Sequence, residues 1–219
     1  MEYVSTQSRT TVLATNKLIR NTYLLLTMTL LTSALTAGLA MIGRVSFVNP
    51  ILMLAVFIGV PFVIYRIRNS VWALPVTFLF TGFMGYVLGP ILNMYLGLPN
   101  GPQIVMGAFA TTSAVFLGLS GYALTTQRNF NFMGGFLFTG LLVLLGAIIL
   151  NLFLAIPALS LTISAAAVIL MSGMILYDTN RMVHGGEANY IVMTVSMFAN
   201  IYVLFVHLLN LFSFFGGND

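Results

Sequence analysis

Apolar and polar positions in this chain segregate into long blocks. Seven apolar segments, Asn21–Ile42, Pro50–Tyr65, Val71–Leu96, Gln103–Thr125, Phe132–Ile156, Ala158–Tyr177 and Tyr190–Phe212, stand between short polar connections. Each comes near the roughly 20 residues that a helix needs to cross a hydrocarbon core. The second is short, and a six-span reading would make it re-entrant. The fifth and sixth stand nearly end to end, and Pro157 marks the turn between them. No run alternates with period two over the length of a barrel strand, so the pattern predicts an all-α membrane protein.

The first twenty positions differ. Gln7, Ser8, Arg9, Thr10, Thr11, Asn16, Lys17 and Arg20 make 1–20 a polar tail, expected to be exposed and mobile. It has no apolar core followed by a small-residue cleavage site, so no cleaved signal peptide is read there. The organisation expected is that tail, one membrane domain over 21–213 and a short C-terminal tail over 214–219. Lys and Arg set the orientation. Arg9, Lys17, Arg20, Arg66, Arg68, Arg128 and Arg181 fall on one side of a seven-span topology and Arg44 alone on the other. The N-terminus is therefore predicted to be cytoplasmic, with Asp178, His184 and Glu187 toward the same face.

Composition agrees with the pattern. Charged residues make up 5% of the 219 and hydrophobic ones 59%, whereas a soluble domain carries about 25% charged residues. The net charge of +4 comes from scattered residues and offers no run for a nucleic-acid backbone. The absence of cysteine excludes disulfides, thiolate metal sites and a cysteine nucleophile. Within the spans, Gly82, Gly85 and Gly89, and Gly134, Gly135 and Gly140, predict close helix packing. Pro61, Pro75 and Pro90 are candidate kinks, and Gly89-Pro90 predicts a bend or break.

Candidate chemistry gathers between the sixth and seventh segments, where Asp178 and Glu187 supply two of the four acidic residues and His184 one of the two histidines. A carboxylate at the bilayer centre costs roughly 2.5–3.5 kcal/mol and usually marks function. The structural alternative is that Asp178 lies at the water interface and caps a helix end. Glu187 suits the start of the last helix, where a carboxylate meets the dipole. Gly118-Leu-Ser-Gly121 has the form of a rhomboid-protease motif, with His207 on a later span. Ser120 and His207 are predicted near opposite ends of their spans, so His207 is better read as bonding a neighbouring helix or meeting interfacial water.

Four stretches carry a resemblance to the Bax inhibitor-1 family. Phe80-Thr-Gly-Phe-Met-Gly-Tyr-Val-Leu-Gly-Pro-Ile-Leu-Asn-Met-Tyr95 looks like its third-span motif, and Ile175-Leu-Tyr-Asp-Thr-Asn180 resembles its sixth-span signature. Leu124-Thr-Thr-Gln-Arg-Asn-Phe-Asn-Phe-Met-Gly-Gly135 and His184-Gly-Gly-Glu-Ala-Asn-Tyr-Ile191 are similar to a proteobacterial branch. The likeness runs from about Lys17 to Leu209. It implies a seven-transmembrane-helix bundle around one central helix, with no enzymatic activity and no cofactor. It further implies residence in the bacterial inner membrane and a partner, a membrane protease of the FtsH type, which a member of that branch modulates.

The resemblance also implies a proton-sensitive calcium leak, with calcium as the transported ion. In that scheme two aspartates on the last two spans share a proton, and an arginine near the end of the second span acts as a latch. The first aspartate falls on Asp178 and the latch on Arg66 or Arg68. Aligned through Met197-Phe-Ala-Asn-Ile-Tyr-Val-Leu-Phe205, the second aspartate is replaced by Asn200, or by Leu204 in a shifted register. Neither titrates, so the repulsion that forces two close carboxylates to share a proton is lost. Burial then opposes the ionised form of Asp178 and an arginine favours it. Calcium prefers six to eight oxygen ligands, so Asp178 is a weak site for it. Counted from Gly185 and Gly186, Asp178 lies roughly 10 Å and Asn200 roughly 21 Å along their helices. A tilted or broken last span is therefore expected if the two are to meet.

Overall fold

The computed structural model describes residues 2–185, 187 and 189–216, with side chains from residue 15 onward. Seven α-helices follow one another: α1 (Glu2–Ile42), α2 (Pro50–Arg66), α3 (Ala73–Leu96), α4 (Gly101–Thr125), α5 (Met133–Leu154), α6 (Pro157–Val183) and α7 (Tyr190–Gly216). No strand occurs among the described residues. Six helices, α1 from Thr15 onward and α3 to α7, are long and apolar enough to cross a membrane. α2 has 17 residues, about 25 Å of helix, which is at the lower edge of what spans.

Sequence chemistry sets the ends. Asn49 caps α2, its Oδ1 accepting from Ile51 N at 2.8 Å, with Pro50 in the first turn where a missing N–H costs nothing. α5 stops at Ala155, which turns left-handed (φ 50°), and Pro157 opens α6 two residues later. Asn151 Oδ1 holds this turn by accepting from Ile156 N at 3.1 Å.

Three expectations change. The first helix starts at Glu2, not near Asn21, because no glycine or proline interrupts 2–20. α3 stays helical through Pro90, so of the bend or break expected there the break does not occur. α6 extends past Tyr177 to Val183, which puts Asp178 inside a helix and not at its end. Several hydroxyls within the spans bond back to their own helix. Thr29 donates to Leu26 O, Thr77 to Ala73 O and Thr112 to Ala108 O, so no bare hydroxyl faces the apolar interior at these positions.

The chain divides into two compact units, Met1–Ile91 with Arg181–Phe198, and Leu92–Asn180 with Ala199–Asp219. In the first, Phe80 of α3 meets Phe57 of α2 at a tilt and Phe198 of α7 edge-on. Thr194 of α7 donates to Thr22 O of α1 at 3.3 Å. α1 and α3 meet at glycines. A Cβ on Gly85 would strike the Ser33 carbonyl and Thr36 Oγ1, and one on Gly89 would lie 2.5 Å from the Ala40 methyl. The predicted small-residue packing is thus a backbone-to-backbone approach. In the second unit, Gly140 meets Leu170 and Gly173 meets Leu137, joining α5 to α6. Gly107 meets Phe212, joining α4 to α7.

Because the Ser33 carbonyl is backbone and cannot rotate away, Gly85→Ala forces α1 and α3 apart. The expected loss is about 1–3 kcal/mol, typical of overpacking. It is read as a lower melting temperature in detergent, with Gly38→Ala, whose site is open, as the control that stays unchanged.

Candidate functional site

Asp178, Thr179 and Asn180 stand on consecutive positions of α6 and are all buried. Successive residues of a helix point about 100° apart, so the three side chains reach three different places in the second unit. Asp178, 1% exposed, accepts through Oδ2 from Asn200 Nδ2 of α7 at 2.9 Å. The Thr179 hydroxyl meets Ser120 Oγ of α4 at 3.3 Å. Asn180 reaches the connection between α4 and α5, donating from Nδ2 to Arg128 O at 2.8 Å and accepting at Oδ1 from Phe130 N at 2.9 Å. This one amide satisfies a carbonyl and an N–H of the connection as a strand partner would.

The helix-end reading of Asp178 is therefore corrected. The residue is buried inside α6, and a carboxylate at a helix C-terminus would oppose the dipole. The expected mismatch with Asn200 is corrected too. Asp178 lies five residues before the end of α6 and Asn200 ten after the start of α7, about 8 and about 15 Å. Six connecting positions, 184–189, leave ample chain to absorb the difference. The last span needs no break, and α7 is continuous. The shifted-register alternative, Leu204, is fully buried.

The chemistry of the pair follows from the donor set. An amide N–H donates to a carboxylate or to a carboxylic acid oxygen alike, so this bond survives either state of Asp178. The pair carries at most one negative charge. Acid can act here by removing that charge but not by breaking this bond.

The other candidates lie elsewhere. In the first unit Arg68 pairs with Glu187 (3.5 Å) and its guanidinium stands 4.6 Å over the Tyr65 ring. Arg66 ends α2 and is exposed. Asn189, a residue the sequence reading passed over, ties the same region together. Its Nδ2 donates to Arg68 O at 3.1 Å, and its Oδ1 accepts from Ile191 N and Val192 N. Asn189 is thus the cap of α7. The expected cap, Glu187, instead accepts from Asn189 N and faces Arg68. An asparagine directly before Tyr190 was the available signal. Ser120 and His207 form no dyad, since Ser120 bonds Thr179 and His207 Nδ1 lies 3.0 Å from Ser164 Oγ of α6. Among the described residues, no three His, Asp or Glu side chains group to hold a metal.

Asn200→Asp tests the pair. It places two carboxyls within hydrogen-bond reach, and only one ionises cheaply. The folded pair then keeps a proton that the unfolded chain releases above about pH 4. Folded protein binds more protons than unfolded, so stability falls as pH rises. The variant should therefore lose melting temperature relative to wild type between about pH 5 and about pH 8. Parallel curves would mean that the two side chains do not interact in solution.

Comparison with known proteins bears on the whole chain. A family profile described as "Inhibitor of apoptosis-promoting Bax1" matches residues 15–217. A protein of Pseudomonas aeruginosa is 50% identical over 201 residues, 92% of this chain and 90% of its own. The Escherichia coli K12 protein named modulator of FtsH protease YccA is 43% identical over 210 residues, 96% of this chain and 95% of its own. A protein of a second Escherichia coli strain, O6:H1, named inner membrane protein YccA, matches at the same identity and coverage. The sixth-helix Asp-Thr-Asn run, the glycine-lined approach of α1 and α3, and the match of the profile to nearly the full length agree: this chain belongs to the Bax inhibitor-1 family.

Proposed function

We propose that this protein is an inner-membrane modulator of a membrane protease of the FtsH type, held with its N-terminus in the cytoplasm. The observation that carries the reading is the 43% identity, over 95% of its length, to a protein named for modulating FtsH. The seven-to-one bias of Lys and Arg supports the orientation. The start of α1 supplies the point of engagement. Asn16, Lys17 and Arg20 are exposed, and the preceding residues are polar. A protease that takes hold there has to extract a chain whose buried polar contacts resist removal, and it is occupied meanwhile. Removing residues 1–16 should lengthen the half-life of the protein in cells several-fold. Adding the intact protein to the reconstituted protease should slow the turnover of a second membrane substrate at least twofold. Unchanged turnover in both assays counts against the proposal.

One observation favours a second reading, a proton-sensitive calcium leak. Asp178 is an ionisable side chain buried within a spanning helix, a placement that usually lines an ion or proton path. Arg68 is the better of the two latch candidates because it already holds the 184–189 connection through Glu187 and Asn189. In proteoliposomes, calcium flux through wild type should change with pH, and flux through Asp178→Asn should not. A shared pH profile for the two would remove Asp178 as the sensor.

A further inference from the structure

A second polar cluster, with Ser164 buried and Ser160, His207 and Asn210 half-buried, lies on the same two helices of the second unit. Ser160 and Ser164 of α6 face His207 and Asn210 of α7. Ser164 Oγ donates to Ser160 O at 2.9 Å and lies 3.0 Å from His207 Nδ1. Asn210 Nδ2 donates to Ser164 Oγ at 2.9 Å and to Ser160 Oγ at 3.1 Å. A histidine within a spanning helix marks a proton or ion path by default. Neither proposed function uses this one.

The network assigns the tautomer. The single hydroxyl hydrogen of Ser164 goes to the Ser160 carbonyl, the usual back-bond of a helical serine. Its oxygen then has two lone pairs, one taken by Asn210 and the other by a hydrogen on His207 Nδ1. Neutral His207 therefore carries its hydrogen on Nδ1 and leaves Nε2 as the basic nitrogen. A proton arriving at Nε2 breaks none of these bonds.

The position of the cluster gives this meaning. Ser164 and Asp178 are 14 residues apart on one face of α6, about 21 Å, which is two-thirds of a hydrocarbon core of about 30 Å. The residues between them on that face, Ala167, Met171 and Ile175, are buried and apolar, as is Leu204 on α7 between Asn200 and His207. Among the described residues of this unit the charged side chains are Asp178 and Arg128, the latter in the connection between α4 and α5. Its other titratable groups are tyrosines. They are Tyr202, five residues before His207 on α7, Tyr177 beside Asp178 on α6, Tyr122 at the far end of α4, and Tyr95 before α4. α5 contributes none.

We propose that the Ser160–Ser164–His207–Asn210 cluster is a proton-binding site, a second station on the α6–α7 face separated from Asp178 by an apolar plug. His207 takes the proton at Nε2, and Ser164, held by Asn210, fixes the ring through Nδ1.

The test is nitrogen NMR of the full-length protein in lipid nanodiscs, labelled at histidine. A His184→Gln background leaves one imidazole in the spectrum. At high pH His207 should show a hydrogen on Nδ1 and a bare Nε2. Between about pH 8 and about pH 5, a range that brackets ordinary histidine, Nε2 should gain a proton. Ser164→Ala, a small change at a buried site, should mix the two tautomers while the helix content stays unchanged. His207→Gln keeps a donor for Ser164 and should remove one proton from the total taken up over the same range. An imidazole that bridges the helices and does nothing else stays neutral throughout. That result, or a wild-type ring with its hydrogen on Nε2, overturns the proposal. Because these readouts need neither protease nor calcium, they stand apart from both functional readings.

Discussion

A buried polar group in a membrane protein has no water to fall back on, and every such group must find its partner within the chain. The Asp178-Thr179-Asn180 run is where this constraint is most concentrated. Three adjacent polar residues on α6 place three side chains into three neighbouring elements, α7, α4 and the connection between α4 and α5. Removing one partner leaves a buried donor or acceptor unsatisfied, at a cost of about 1–3 kcal/mol. The run therefore does two things. It fixes the arrangement of the second unit, and it keeps an ionisable group buried.

The substitution at 200 changes what such a site can do. Two carboxyls would repel, share a proton and respond to pH through their separation. A carboxyl and an amide attract in either protonation state. Any response to acid then comes from the loss of one charge and has to be felt by groups beyond the pair.

Much of this was legible in the sequence, for definite reasons. Spans are long apolar blocks, and Asn49-Pro50 and Pro157 punctuate them by local chemistry, so most boundaries fall within a few residues of those read from the pattern. The glycines of α3 were legible because a small residue in a span leaves room for one main purpose, close approach. Two kinds of feature were not legible. The end of α6 was placed early because Asp178, Asn180 and Arg181 look like water-exposed polarity, and burial by pairing is a tertiary fact. The Asn189 cap and the Ser164–His207 contact were also hidden. The first was a common residue in a connection read mainly for its charges. The second joins positions 43 residues apart, and no spacing rule connects them.

The two bonds by which Asn180 grips the connection between α4 and α5 reach main-chain atoms, those of Arg128 and Phe130. Every peptide offers the same carbonyl, and every residue but proline the same N–H. The hold is therefore indifferent to which side chains stand at 127 and 128, both of them exposed. Those side chains can be exchanged to suit whatever meets that surface while the backbone beneath them keeps its seat.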